Sequence, residues 1–459
     1  VADRSALLRV FLKADRLNYF LPDIRVSFSV DGTPVQTLVI DPQPKSIPQE
    51  VDESELRLSY NAPIPGSLIT AGLEIELEID SESEIPFTAG SSRRIPETGR
   101  IALDVREVPP FRLRLIPVRQ TLTGRTGDVL NVTAESDILA FTQAIFPIAE
   151  LDVDVREPYS TAADLTTKGG WGQFIREMRL LRIAEGSDWY YYGAVELPPQ
   201  SAWGGLGYVG YGVAVGAASD RVLAHELGHN FSLRHAPCGD PSGPDQNYPY
   251  SGASIGRWGY DYTNEELKDP ASVVDVMSYC GPKWISDYNF EKVMAYRDEH
   301  DWPAGVPSRH LDDALVLWGS VTEGSLLLEP AIRLPLPAAL PAREGPYLLE
   351  GLSDSGATVF SLRFAPAQTD HDGGRHFVFA LPIDPATAEG LERIRLSGPE
   401  GRVEVGRAAA GQALTVVTDA ASGLIKSISR EQNPQLLLSS DVAVRVSDGV
   451  RTRTLGVRQ

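Results

Sequence analysis

Two histidines four residues apart, with a glutamate directly after the first, place a strong demand on the middle of this chain: His225-Glu226-Leu227-Gly228-His229. In a helix four residues turn about 400° and climb ~6 Å, so both imidazoles share one face and converge on a single ion about 2.0–2.1 Å from each nitrogen. Ser219 and Asp220 stand where a helix cap is expected, ahead of Val222, Leu223 and Ala224. A third histidine, His235, follows beyond the predicted helix end, and a chain reversal near Ser232 would bring it to the same ion. Glu226 projects beside the shared face, where a carboxylate accepts a proton from an activated water without being a ligand. Three protein ligands leave a fourth position open, which separates catalytic from closed structural zinc. With only 7 histidines among 459 residues, chance is a poor explanation of this pattern. The bland alternative is an amphipathic core helix with solvent-facing histidines.

Around the motif the spacing of apolar residues changes twice. Ile24, Val26, Phe28 and Val30 lead into Asp31-Gly32, and Leu73, Ile75, Leu77 and Ile79 alternate with acidic residues. Period-2 runs of this kind predict a half-exposed antiparallel sheet, here a β-sandwich over residues 1–110 that ends at Pro109-Pro110. A strand from Phe111, a helical pattern through Ile138, Leu139, Phe141, Ala144, Ile145 and Ile148, and a strand from Leu151 then read β-α-β. A second helical run (Phe174, Ile175, Met178, Leu181) precedes an aromatic strand at 189–197 and a glycine-rich stretch at 204–216. Mixed spacing marks a separate α/β domain over residues 111–302. Alternation returns from Pro303, as in Val442, Val444 and Val446 before Asp448-Gly449, and predicts a second β-sandwich over residues 303–459. The expected fold class is α+β multidomain, a central α/β domain flanked by two β-sandwich domains.

Charge narrows the partners. The 62 acidic against 42 basic residues give a net charge of −20, which repels phosphate backbones and anionic lipid. No run approaches the ~18 apolar residues of a membrane span, and the start Val1-Ala2-Asp3-Arg4 lacks an apolar signal core. The expected partner is a protein or glycoprotein substrate, with no nucleic acid, no integral membrane segment and a monomeric chain. Gly204-Gly205-Leu206-Gly207 lacks the Lys-Ser/Thr of a phosphate loop. His371 and His376, around Asp372-Gly373-Gly374, read as solvated loop histidines rather than ligands.

The run His225-Glu226-Leu227-Gly228-His229-Asn230-Phe231-Ser232-Leu233-Arg234-His235 resembles the long zinc-binding motif of the metzincin metallopeptidases, and Val276-Met277-Ser278-Tyr279 resembles their Met-turn. The resemblance covers residues 111–302, making that domain metzincin-like. His235-Ala236-Pro237-Cys238-Gly239 and Trp284-Ile285-Ser286-Asp287-Tyr288 are most similar to secreted bacterial members that include mucin-degrading proteases. The resemblance implies that Met277 forms a hydrophobic floor beneath the zinc and that Tyr279 reaches the metal or the developing oxyanion. It also implies that residues 189–197 and the glycine-rich run supply an edge strand for an extended substrate, and that residues 245–262 shape the pocket after the scissile bond. One residue departs from the pattern, since the family has glycine where this chain has Ser232. A left-handed turn there costs a non-glycine residue about 1 kcal/mol, so either Ser232 adopts it or the helix ends by another route.

The function so implied is that of a secreted zinc-dependent endopeptidase, bacterial and extracellular or at the cell surface, its leader absent from this chain. One Zn²⁺ is held by His225, His229 and His235, Glu226 is general base and then acid, Tyr279 assists, and glycoproteins are among the substrates. Nothing in the sequence indicates calcium. The rival is a non-enzymatic adhesin or glycan-binding protein with a structural zinc site, against which stands the intact Glu226. The two cysteines, Cys238 and Cys280, follow His235 and Met277 by three residues each, so a formed zinc site implies their proximity and a disulfide. Two buried thiols, or Cys238 as a fourth zinc ligand, are the alternatives.

Overall fold

Every second residue of the acidic alternating run is buried in the computed structural model: Leu73–Ile79 is a strand whose apolar side points inward throughout. The structure describes residues 1–42, 45–88, 90–301, 311–371, 374–407, 413–430 and 439–455. The predicted boundary at Pro303, and Asp372 and Gly373, lie outside them. It is a mixed α/β protein, mostly strands, with a central mixed sheet and several antiparallel sheets. Among the described residues no helix is long and apolar enough to cross a membrane. The chain divides into two compact units.

The first unit comprises residues 1–111, 143–151 and 247–301. Ile24–Val30 and Thr33–Ile40 form the hairpin announced by Asp31-Gly32, whose φ angles of 47° and 79° give the tight turn its hand. Leu73–Ile79 pairs with Ile24–Val30 on its other side, and the two-stranded sheet of Ala6–Val10 and Tyr60–Ile64 shares its core. Further along, the buried Asp275 carboxylate accepts from the backbone N–H of Met277 (2.8 Å) and of Ser286 (2.8 Å) and from Asn289 Nδ2 (2.9 Å). That carboxylate fixes the turn carrying Met277 to the start of helix Asp287–His300, capped by Ser286.

The second unit comprises residues 112–142, 152–246 and 302–459. Its ten-stranded sheet runs Gly205–Gly207, Val213–Ala217, Tyr190–Val195, Phe111–Gln120, Tyr159–Thr161, Ile425–Ser429, Leu414–Asp419, Val442–Ser447, Thr452–Leu455, with Leu151–Val155 also on Phe111–Gln120. The strands from Val213–Ala217 across to Ile425–Ser429 are parallel, and Gly205–Gly207 is antiparallel at the edge. Helix Lys168–Ala184 packs on this sheet, its N-terminus capped by the Thr167 side chain accepting from Gly170 N. The helix approaches so closely that a Cβ on Gly193 would lie 2.9 Å from Met178 Sδ. The core beneath it mixes Trp171, Phe174 and Tyr191 with Val316, Trp318, Val378, Val416 and Ile428. Two further antiparallel sheets, built on Asp312–Thr322 and on Tyr347–Leu352, share a core that includes Leu317, Leu349, Phe364 and Phe377.

The aromatic strand is not at an edge. Tyr190–Val195 is buried at every position between Phe111–Gln120 and Val213–Ala217, as an unbroken apolar run in a parallel sheet should be. The edge is Gly205–Gly207.

Candidate metal centre

The predicted helix spans Asp220–Asn230, and every residue from Leu223 to Asn230 is buried. Ser219 occupies the N-cap position without a side-chain cap bond; Leu223 N donates instead to its carbonyl at 2.9 Å. The glycine-rich strand makes room for this helix. A Cβ on Gly205 would lie 2.5 Å from Glu226 Oε1, and one on Gly207 would lie 2.9 Å from the Glu226 carbonyl and 3.1 Å from His229 Cβ. At the other end Asn230 Nδ2 donates to the carbonyls of Tyr208 and Val213, both at 3.0 Å, tying the helix terminus to the sheet.

The helix ends in the left-handed turn the motif requires. Ser232 has φ 69°, its N–H donates to His229 O (2.8 Å), and Leu233 N donates to Gly228 O (3.0 Å). This paired closure is the Schellman cap, with serine in the position glycine prefers. The reversal delivers His235 to the helix face: its ring centroid lies 4.7 Å from that of His229 and 5.4 Å from that of His225, which are 5.0 Å from each other.

All three rings are buried. His229 Nδ1 donates to Leu233 O (2.9 Å) and His235 Nδ1 to Ser242 O (2.8 Å), leaving Nε2 of each as the ligating nitrogen. Burial, with His229 alongside, pushes the His235 imidazole down to about 4 against the Ser242 contact, so it is neutral at pH 7 and offers a lone pair. One nitrogen from each ring and one carboxylate oxygen of Asp370 lie within 4.8 Å of one another, a set that fits a metal ion.

Asp370 was not foreseen. It sits beyond Ala367–Gln368, which pairs with Arg375–Pro382. Its Oδ2 lies 3.1 Å from His229 Nε2 and 3.0 Å from His371 Nε2, and its Oδ1 accepts from Gly207 N at 2.8 Å. Burial alone would raise its pKa, but the imidazoles of His229 and His371, when protonated, and the Gly207 N–H hold it well below the usual carboxylate range. The reading of His371 and His376 as solvated is corrected. His376 is buried edge-on to Tyr208, and His371 stacks on Trp203 with its ring 5.3 Å from that of His235. Both are held by aromatic neighbours far away in sequence, which local spacing does not report.

Glu226 is buried on the helix, within 4.8 Å of the Asp370 and His371 donor atoms. Met277 is fully buried and Tyr279 is 42% exposed, both in the first unit. Cys238 and Cys280 form a disulfide.

Three buried imidazoles around one point, two of them on a helix laid across an α/β sheet and the third on the chain that follows it, with a carboxylate enclosed beside them, define a metal-dependent hydrolytic centre. The Peptidase M66 family model matches residues 176–282, which include the three histidines, Glu226 and both cysteines. The protein is a metallopeptidase. No curated protein matches the chain.

Proposed function

We propose that this chain is a secreted zinc endopeptidase that hydrolyses peptide bonds in proteins, glycoproteins among them, with Glu226 as general base. The observation that carries the reading is the convergence of His225, His229 and His235 beside the buried Glu226. Zinc bound by the three imidazoles would polarise a peptide carbonyl and make a water acidic enough to react near neutral pH. Glu226 takes the proton from the attacking water and returns it to the departing amine. The rings of His229 and His235 are oriented by the backbone carbonyls of Leu233 and Ser242, both beyond the helix end. Tyr279 is the proposed donor to the oxyanion, Met277 the proposed floor of the site, and residues 245–262 the proposed specificity segment. The strands of residues 1–110 would serve as a substrate-positioning module preceding a metzincin-like domain, and the disulfide agrees with export to an oxidising compartment.

The test is proteolysis of denatured casein and of a Ser/Thr-glycosylated protein, each with and without chelator. Chelator-sensitive cleavage of both is expected, faster for the glycosylated protein than for its deglycosylated form because sugar contacts add binding only when the glycan is present. Equal rates on the two forms would leave a general peptidase; no cleavage of either would remove the endopeptidase.

A further inference from the structure

The geometry points to Asp370 as a fourth protein ligand of the metal, presented by a hairpin that lies along the sheet edge where an extended peptide would pair. This rests on the metal-triad reading above. The hairpin is formed by the pairs Ala367 with His376 and Gln368 with Arg375, and is closed toward its tip by Thr369 donating to Gly374 O from Oγ1 (2.8 Å) and N (3.2 Å). Its outer strand continues the sheet. Tyr208 and Thr369 form an antiparallel bridge, Val209 N donates to Gln368 O (2.9 Å), and Asp370 N donates to Gly207 O (3.0 Å). Edge strands offer this kind of main-chain pairing to any extended chain, and here the protein's own residues 368–370 take it.

The side chain at the end of that strand is the one that enters the histidine cluster. Asp370 is 5% exposed, and its Oδ2 approaches His229 Nε2 to 3.1 Å although neither atom is aligned for a hydrogen bond. Two ligands on a tetrahedral ion with bonds of ~2.05 Å stand roughly 3.3 Å apart, so the spacing suits co-ligation. Asp370 also brings a second buried carboxylate within 4.8 Å of Glu226. Two carboxylates enclosed so closely repel, and a divalent cation between the imidazoles and Asp370 offsets that repulsion. Oδ1, bonded to Gly207 N, fixes the carboxylate so that Oδ2, which also lies 3.0 Å from His371 Nε2, is the atom turned toward the His229 ring. The state described is thus a closed one. The position that an attacking water needs is filled by Asp370, and an incoming peptide must displace residues 368–370 both from the metal and from 207–209.

The experiment uses the full chain loaded with Co²⁺, whose visible spectrum reports the ligand set, in the wild type, Asp370→Asn and Asp370→Ala. Asparagine keeps the acceptor for Gly207 N, so the hairpin retains its anchor. Both variants should bind one equivalent of metal with an affinity lowered by roughly 10-fold or more and with an altered spectrum. Acetohydroxamate should perturb the variant spectra at concentrations about 10-fold below those needed for the wild type, because it no longer competes with a carboxylate. Unchanged affinity and spectrum in the variants would overturn the assignment. If the variants do not fold, the wild type decides alone: a spectrum that resists millimolar acetohydroxamate supports a filled fourth position, and a ready shift overturns it. A wild-type chain that binds no metal would remove the metal triad and this proposal together. Metal binding with the predicted spectra but no proteolysis would keep Asp370 as ligand and remove only the turnover.

Discussion

A carboxylate enclosed beside three imidazoles is costly to bury unless it serves them, and Glu226 is 2% exposed on the same helix as two of the histidines. Replacing it with glutamine removes the proposed proton acceptor and leaves the imidazoles in place. Glu226→Gln should therefore retain one equivalent of metal and lose roughly 10²–10⁴-fold in turnover. Metal analysis beside a peptidase assay checks this, and metal loss in step with activity loss would contradict the role. Ser232 raises the opposite question, a residue held in a conformation it does not favour, at φ 69° in a closed cap. Ser232→Gly should stabilise the fold by up to about 0.5 kcal/mol, the roughly 1 kcal/mol of left-handed strain less the ~0.5–1 kcal/mol that the added freedom of the unfolded chain costs. A denaturant midpoint below that of the wild type would show that the serine is not strained.

At the scale of elements, what could be read from sequence was whatever depends on local spacing. Helix Asp220–Asn230, strand Leu73–Ile79 and the Asp31-Gly32 hairpin all declare themselves through period and turn chemistry. Residues 189–197 misled because an aromatic run says that a strand forms and not where in the sheet it lies. The absence of polar alternation in Tyr190–Val195 was the available clue to an interior position. Asp370 carried no signal at all, since its neighbours His229 and Gly207 are far upstream and only the hairpin brings them together. The same holds for Glu177 on helix Lys168–Ala184. Burial pushes its carboxyl up to about 7, against donors from Gln173 (2.8 Å), Thr161 (2.7 Å) and Tyr159 (2.9 Å) that favour the charged form. Its folded pKa lies above the ordinary 4.5, so the native state keeps a proton that the unfolded chain has released. The stability it contributes is complete below pH 4.5 and is lost as pH rises to about 7. Glu177→Gln should remove this loss, flattening the fall in unfolding free energy across that window by about 3 kcal/mol at most. Urea titrations of both proteins at pH 5 and pH 8 measure it, and equal differences between the two pH values would show that Glu177 does not titrate there.

Across the whole molecule, the return to period-2 alternation after Pro303 suggests a module that could be removed, but a period reports which face of a strand is buried and not against what. Ile425–Ser429 pairs in parallel with Tyr159–Thr161, so the sheet that carries the metal helix continues into strands from the last third of the chain. Arg156 donates to Ile425 O at 2.7 Å, and Arg176 pairs with Glu329 at 3.1 Å, both buried. The core under helix Lys168–Ala184 takes Ala314, Val316, Trp318, Ile332, Leu334, Leu336, Val378, Ala380, Leu414, Val416, Ile425 and Ile428 from beyond residue 302. Withdrawing this group exposes the apolar faces of helix Lys168–Ala184 and of the sheet that it covers. A domain is held by only about 5–15 kcal/mol in total. A chain ending at residue 302 should accordingly lose the cooperative unfolding of the metal-bearing unit, bind the hydrophobic dye that native protein excludes, and hold no stoichiometric zinc, even though it keeps all three histidines and Glu226. Calorimetry with metal analysis on residues 1–302 decides the matter. A sharp transition with one bound zinc would mean that the catalytic unit closes its core without the C-terminal strands.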